Sequence, residues 1–169
     1  MESLMPLLLR YHLTMSGSLH DHCTTNLLKL LSITSIDGLE DADDADDLAP
    51  DHRCLQQVAQ TIRSVPNRPG DFVARFSGQQ FAVILPDTDR VGAIEVAESI
   101  RRTVESTFIP RSAALEDRSI TVCVGVTVMD PYSEVTAPRL LAAARQALSV
   151  ARAEGPNQTR VALLEEARI

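Results

Sequence analysis

Between positions 120 and 128 every second residue is a β-branched aliphatic: Ile120, Val122, Val124, Val126 and Val128. Successive side chains of a strand point to opposite faces, so this stretch is expected to form a β-strand with one wholly apolar face. β-Branched side chains also fit a pleated, half-buried surface better than a helix. One strand cannot hide such a face alone, so the chain must build a sheet and cover it with other elements. Gly125, inside the strand, marks close backbone packing or a small bulge.

The rest of the chain supplies the covering elements. Residues 31–36 read as a short strand ending at Asp37, and an acidic run follows over residues 37–51, where like-charge repulsion favours a solvated loop. Leu55, Val58, Ala59, Ile62 and Val65 keep helical spacing, and Pro66 with Pro69-Gly70 stops that helix in a turn. Residues 72–76 and 81–85 read as two strands joined through Ser77-Gly78-Gln79-Gln80 as a hairpin. Ala93, Val96, Ala97, Ile100 and Val104 predict a second helix. Pro138 suits a first helical turn, Leu141, Ala144, Leu148 and Ala151 continue that helix, and Gly155-Pro156 ends it before a last short strand at 160–164. The predicted order is β-α-β-β-α-β-α-β. It fits an α/β (α+β) fold with a ferredoxin-like β-α-β-β-α-β core, a predominantly antiparallel sheet covered by helices on one face, and an extra C-terminal helix and short strand.

At 169 residues the chain is long enough for one domain with a real core, and residues 1–169 are read as a single domain with a weakly patterned lead-in, expected to carry a helix, over 1–30. The net charge of −7 argues against nucleic acid or anionic lipid as a partner. The short apolar run at 5–9 is too short to cross a bilayer, so no membrane insertion is expected. Cys23, Cys54 and Cys123 show no metal spacing and point to a reducing, cytoplasmic compartment. His20 and His22 near Cys23 are read as a polar turn, and neither these nor His12 and His52 share a metal-binding helix pattern. Cys123 falls on the less apolar face of its strand and is expected to be an inert packed thiol.

The segments at residues 31–37, 57–63, 75–81, 120–126 and 147–152, in this order and spacing, resemble the diguanylate cyclase (GGDEF) domain family. Leu31-Ser32-Ile33-Thr34-Ser35-Ile36-Asp37 is similar to its first core strand, and residues 57–63 resemble the next helix. Arg75-Phe76-Ser77-Gly78-Gln79-Gln80-Phe81 sits where the family has Arg-Tyr-Gly-Gly-Asp/Glu-Glu-Phe. Ile120-Thr121-Val122-Cys123-Val124-Gly125-Val126 and Ala147-Leu148-Ser149-Val150-Ala151-Arg152 resemble the family's later strand and helix. The likeness covers roughly residues 11–163.

The resemblance implies a phosphoryl-transfer site in which divalent metals, held by the Asp ending the first strand and by the last acid of the hairpin motif, join two GTP molecules across a dimer. In this chain the implied site is degenerate. Asp37 is kept, but the hairpin acids are Gln79 and Gln80, which carry no charge and cannot serve as a base. Ser77 replaces the first motif glycine and only Gly78 remains. The family's second Asp falls at Leu39, its guanine-reading Asp falls near His52 with Asp51 one position off, and Tyr11 stands for Asp ahead of Leu13-Thr14. Arg152 takes the place of a phosphate-binding Lys, and Pro156 that of an Arg. No catalytic residue and no resident metal or required cofactor is therefore expected. A residual cation site of Asp37 with Asp41 or Asp43 is the alternative use of the acidic run.

A second family feature is kept. Arg68-Pro69-Gly70-Asp71 lies five residues before Ser77, where many members carry an Arg-x-x-Asp product-binding site. Arg offers a planar fork for guanine O6 and N7 or for phosphate, and Asp accepts from the guanine N1–H and N2–H edge. The family's second arginine aligns with Ser99, and Arg102, one turn on, is the candidate substitute. The resemblance thus implies a noncatalytic receptor that binds cyclic di-GMP through Arg68, Asp71 and Arg102, with the dinucleotide able to bridge two copies and with other signalling domains or proteins as further partners. The alternatives are a nucleotide-free interaction module and a weak residual cyclase.

Overall fold

The computed structural model describes residues 30–37, 52–86, 88–110, 119–129 and 136–164. The lead-in helix, the acidic loop with Leu39, Asp41, Asp43 and Asp51, and the segment holding Tyr11, His12, His20, His22 and Cys23 lie outside them. The elements run β1 (Leu30–Ile36), α1 (His52–Ser64), β2 (Phe72–Ser77), β3 (Gln80–Ile84), α2 (Arg90–Ser106), β4 (Val122–Met129), α3 (Ala137–Ala153) and β5 (Thr159–Leu164). This is the order expected from the sequence.

The strands form one sheet in the order β2-β3-β1-β4-β5. β1 lies antiparallel to both β3 and β4, β2 and β3 form the hairpin, and β5 adds parallel to β4 across the α3 crossover. β1 and β4 lie inside the sheet, and burial on both of their faces requires cover on both.

That requirement corrects one expectation. The helices do not share a face. Ile120, Val122, Val124 and Val126 pack with Val58 and Ile62 of α1 and with Ala97, Ile100 and Val104 of α2. The reverse face presents Ile33, Ala82, Ile84 and Cys123, and α3 covers it with Leu140, Ala144, Leu148 and Ala151. The physical reason lies in β3, where Phe81, Ala82, Val83 and Ile84 are all buried, which is the pattern of a strand enclosed on both sides. Gly125 shows how close the third helix comes. A Cβ there would sit 2.3 Å from the Leu148 backbone nitrogen and 2.4 Å from the Ala144 carbonyl oxygen, so the close-packing expectation holds.

Local signals set the ends of the elements. The Asp89 side chain accepts a hydrogen bond from the Gly92 N–H at 2.8 Å and caps α2. Proline stands in the first turn of α3, as expected. The β2–β3 register shifts between Arg75 and Ser77, a bulge that precedes the hairpin turn.

Candidate functional site

The turn after α1 holds the Arg-x-x-Asp residues in a reciprocal ring. The Asp71 N–H donates to the Arg68 carbonyl at 3.0 Å, and the Arg68 N–H donates to Asp71 Oδ2 at 3.0 Å. Pro69, with its fixed φ, suits the second position of such a turn. The Asp71 carboxylate therefore braces its own turn with one oxygen. The other, Oδ1, is buried and has no hydrogen-bond partner. A buried acceptor of this kind is costly unless a donor reaches it.

The Arg68 guanidinium has its own support. Its Nη1 donates to Thr88 Oγ1 at 3.2 Å, and the Thr88 hydroxyl donates to the Pro86 carbonyl at 3.1 Å. Thr88 is buried just ahead of α2. It is a positioning residue that the sequence did not single out, because nothing in the spacing ties it to Arg68, twenty positions earlier.

Arg102 is elsewhere. It lies twelve residues beyond the start of α2, about 18 Å along the axis at 1.5 Å per residue. It is exposed and pairs with Glu98 at 3.7 Å. The structure thus brings Arg68, Asp71 and Thr88 together, and Arg102 stands further along α2.

The second corner collects the positions that resemble an active site. Gln80 pairs with Ser35 across β1 and β3, and the Ile36 N–H donates to the Gln79 carbonyl at 3.4 Å, so the hairpin tip lies beside the end of β1. Gly78 and Gln79 make the turn, and the Arg75 guanidinium folds back to donate to the Gly78 carbonyl from both Nε, at 3.1 Å, and Nη2. Ser77 is the last residue of β2 and exposed. Arg152, on α3, donates from Nη2 to the Ser35 hydroxyl of β1.

Asp37 is tied down by the protein itself. Its Oδ2 accepts from the Thr121 hydroxyl at 2.7 Å and from the Asn157 N–H at 2.7 Å, while its own N–H donates to the Thr121 carbonyl at 3.1 Å. Asn157, at φ 60, in turn accepts from Arg101 Nη1 at 2.8 Å through its side-chain oxygen and donates to Glu105 at 2.8 Å. The carboxylate thereby anchors the turn that leads into β5. Hard divalent ions require several charged or strongly polar oxygens. Here Asp37 faces amides at 79 and 80, one of its oxygens already serves two donors, and among the described residues no three of His, Cys, Asp and Glu converge.

Cys123, beside this corner, is fully buried and its thiol lies 3.4 Å from the Gly155 carbonyl. Burial first, and then the neighbouring Asp37, push its pKa up to about 12.

The comparisons with known proteins agree with this architecture. The GGDEF family, described as "Diguanylate cyclase, GGDEF domain", matches residues 49–158, well over half of the chain. Diguanylate cyclase DosC of Escherichia coli K12 is 29% identical over 91 residues, 54% of this chain and 19% of that protein. Diguanylate cyclase A of Treponema denticola is 31% identical over 104 residues, 62% of this chain and 27% of that protein. The chain thus matches about a fifth to a quarter of the length of these relatives. Among solved structures, the GGDEF domain of DgcB from Caulobacter crescentus, in complex with c-di-GMP, superposes with a TM-score of 0.65 at 25% identity over 80% of this chain and 78% of that one. The chain belongs to the GGDEF domain family. Among the described residues, no helix is long and apolar enough to cross a membrane.

Proposed function

We propose that this domain binds cyclic di-GMP at the Arg68–Asp71 turn and does not synthesise it. The observation that carries this reading is the reciprocally bonded Arg68–Asp71 turn, whose exposed arginine is supported by Thr88. A guanine N1–H or N2–H would donate to the Asp71 carboxylate, and the guanidinium would take O6 and N7 or a phosphate oxygen. The turn is already braced, so little order has to be gained on binding. The solved GGDEF domain of DgcB is in complex with this dinucleotide, which makes it the ligand to test first.

The second corner supports a lack of turnover. Phosphoryl transfer between nucleotides needs developing charge to be neutralised. At the described residues of that corner Gln79 and Gln80 are neutral and Asp37 is hydrogen-bonded to Thr121 and Asn157, which supports this reading. Cyclic di-GMP has two-fold symmetry, so it can bridge two copies in the bacterial cytoplasm. Arg102, further along α2, would add a second guanidinium to the bound ligand.

Isothermal titration of cyclic di-GMP into the protein tests this, with Arg68→Ala and a GTP titration as controls. Micromolar or tighter binding that the substitution abolishes is the expected result. No heat and no change of thermal midpoint at saturating ligand would remove the receptor reading. Formation of cyclic di-GMP from GTP with Mg²⁺ or Mn²⁺ would restore the cyclase reading.

A further inference from the structure

The chain is acidic overall, yet residues 52–77 carry Arg53, Arg63, Arg68 and Arg75 against Asp71 alone. This stretch is α1, the turn and β2, and among the described residues it forms one margin of the sheet. Among the described strands β2 is an edge, with β3 on one side only. On alternate residues of such a strand the backbone N–H and C=O point away from the sheet.

Between α1 and this edge runs a groove of about 250 Å³. Leu55, Ala59, Val73 and Phe81 give it an apolar floor, and the exposed Arg63 and Arg75 stand at its rim. Its volume is below the roughly 300–1,000 Å³ of small-molecule sites and suits one large aliphatic side chain. Val73 and Arg75 are two apart on β2, so they share the face that looks toward α1.

We infer that this margin is a docking site for an extended acidic segment of another protein, which adds as a strand to β2. The occupant has an aliphatic residue that enters the groove, flanked at two positions before and after by carboxylates that meet Arg63 and Arg75. The alternation of a strand places all three on one face, and charge complementarity selects an acidic partner over a basic one. The bulge after Arg75 confines pairing to residues 72–75, so the contact is short and its affinity modest. This site is separate from the nucleotide reading and does not depend on it.

The test is fluorescence anisotropy with the labelled peptide Thr-Asp-Thr-Leu-Thr-Asp-Thr and its counterpart with Lys for Asp. The acidic peptide is expected to bind and the basic one not to. Arg63→Glu, at an exposed position, and Ala59→Met, which fills the groove, are each expected to weaken binding by roughly tenfold or more while the thermal midpoint shows that the fold is kept. If Arg63→Glu lowers the midpoint, Arg63→Gln takes its place with a smaller expected loss. Equal binding of both peptides, no binding of either, or binding that neither substitution affects would overturn the proposal. So would self-association of the protein that Arg63→Glu abolishes in the absence of peptide binding, which would assign the edge to a second copy.

Discussion

At Asp37 a single carboxylate oxygen satisfies a hydroxyl and a backbone N–H that would otherwise lack it. Removing an acceptor from partly buried donors costs about 1–3 kcal/mol for each donor left without a partner. Asp37→Ala is therefore expected to destabilise the domain by a few kcal/mol in urea unfolding. Asp37→Asn, which keeps an acceptor oxygen, is expected to cost clearly less. Equal losses would mean that charge rather than acceptance matters there. Cys123 carries the pH dependence. The unfolded chain releases this proton above about pH 9 and the folded one holds it to about 12, so its contribution to stability is complete below pH 9 and falls as pH rises through that window. Cys123→Ala is expected to lose less stability than the parent between about pH 8 and pH 10, measured by urea midpoints. At this scale the sequence revealed the residue types of the Arg68–Asp71 turn but not their bracing. Thr88, Thr121 and Asn157 are ordinary polar residues in the sequence, and only the fold brings them to Arg68 and Asp37.

Among the elements, α3 comes close to β4 at Gly125. A side chain at Gly125 would collide with helix backbone, which cannot swing aside as a side chain can. Gly125→Ala is expected to cost about 1–3 kcal/mol, the range for overpacking a core, and to lower the thermal midpoint by several degrees. Gly78→Ala is the matched control. A Cβ there meets nothing within 4 Å, so its midpoint is expected to move little. The elements themselves were largely legible. Alternation at 120–128 located β4, proline located the start of α3, and the apolar spacing located α1, although the helix begins three residues before Leu55. The side of the sheet taken by α3 was missed. The continuous apolar run at 81–85 held that information, because a strand exposed on one face would alternate.

For the whole molecule, the sequence carried the order of strands and helices because each short segment announces its own period. It could not carry the distance between Arg68 and Arg102, which depends on the length and direction of α2. Spacing in the alignment placed Arg102 one turn from the expected position, and the helix then carries it about 18 Å from its own first turn. The two corners are also unequal in what they ask of the chain. The Arg68–Asp71 turn closes within four residues, whereas Asp37 is completed by residues 84 and 120 positions away.

That separation has a consequence for how the molecule is made. β1 lies in the interior of the sheet, yet its neighbour β4 and the Asn157 clamp on Asp37 come from far later in the chain. At roughly 5–20 residues per second of synthesis, β1 waits on the order of ten seconds for its last partners to emerge. Until then it has β3 on one side and bare backbone on the other, the state most open to pairing with the wrong strand. The Arg68–Asp71 turn and the β2–β3 hairpin, both local, are complete well before that moment. The part of the domain around the Arg68–Asp71 turn can thus take shape while the part around Asp37 is still being made.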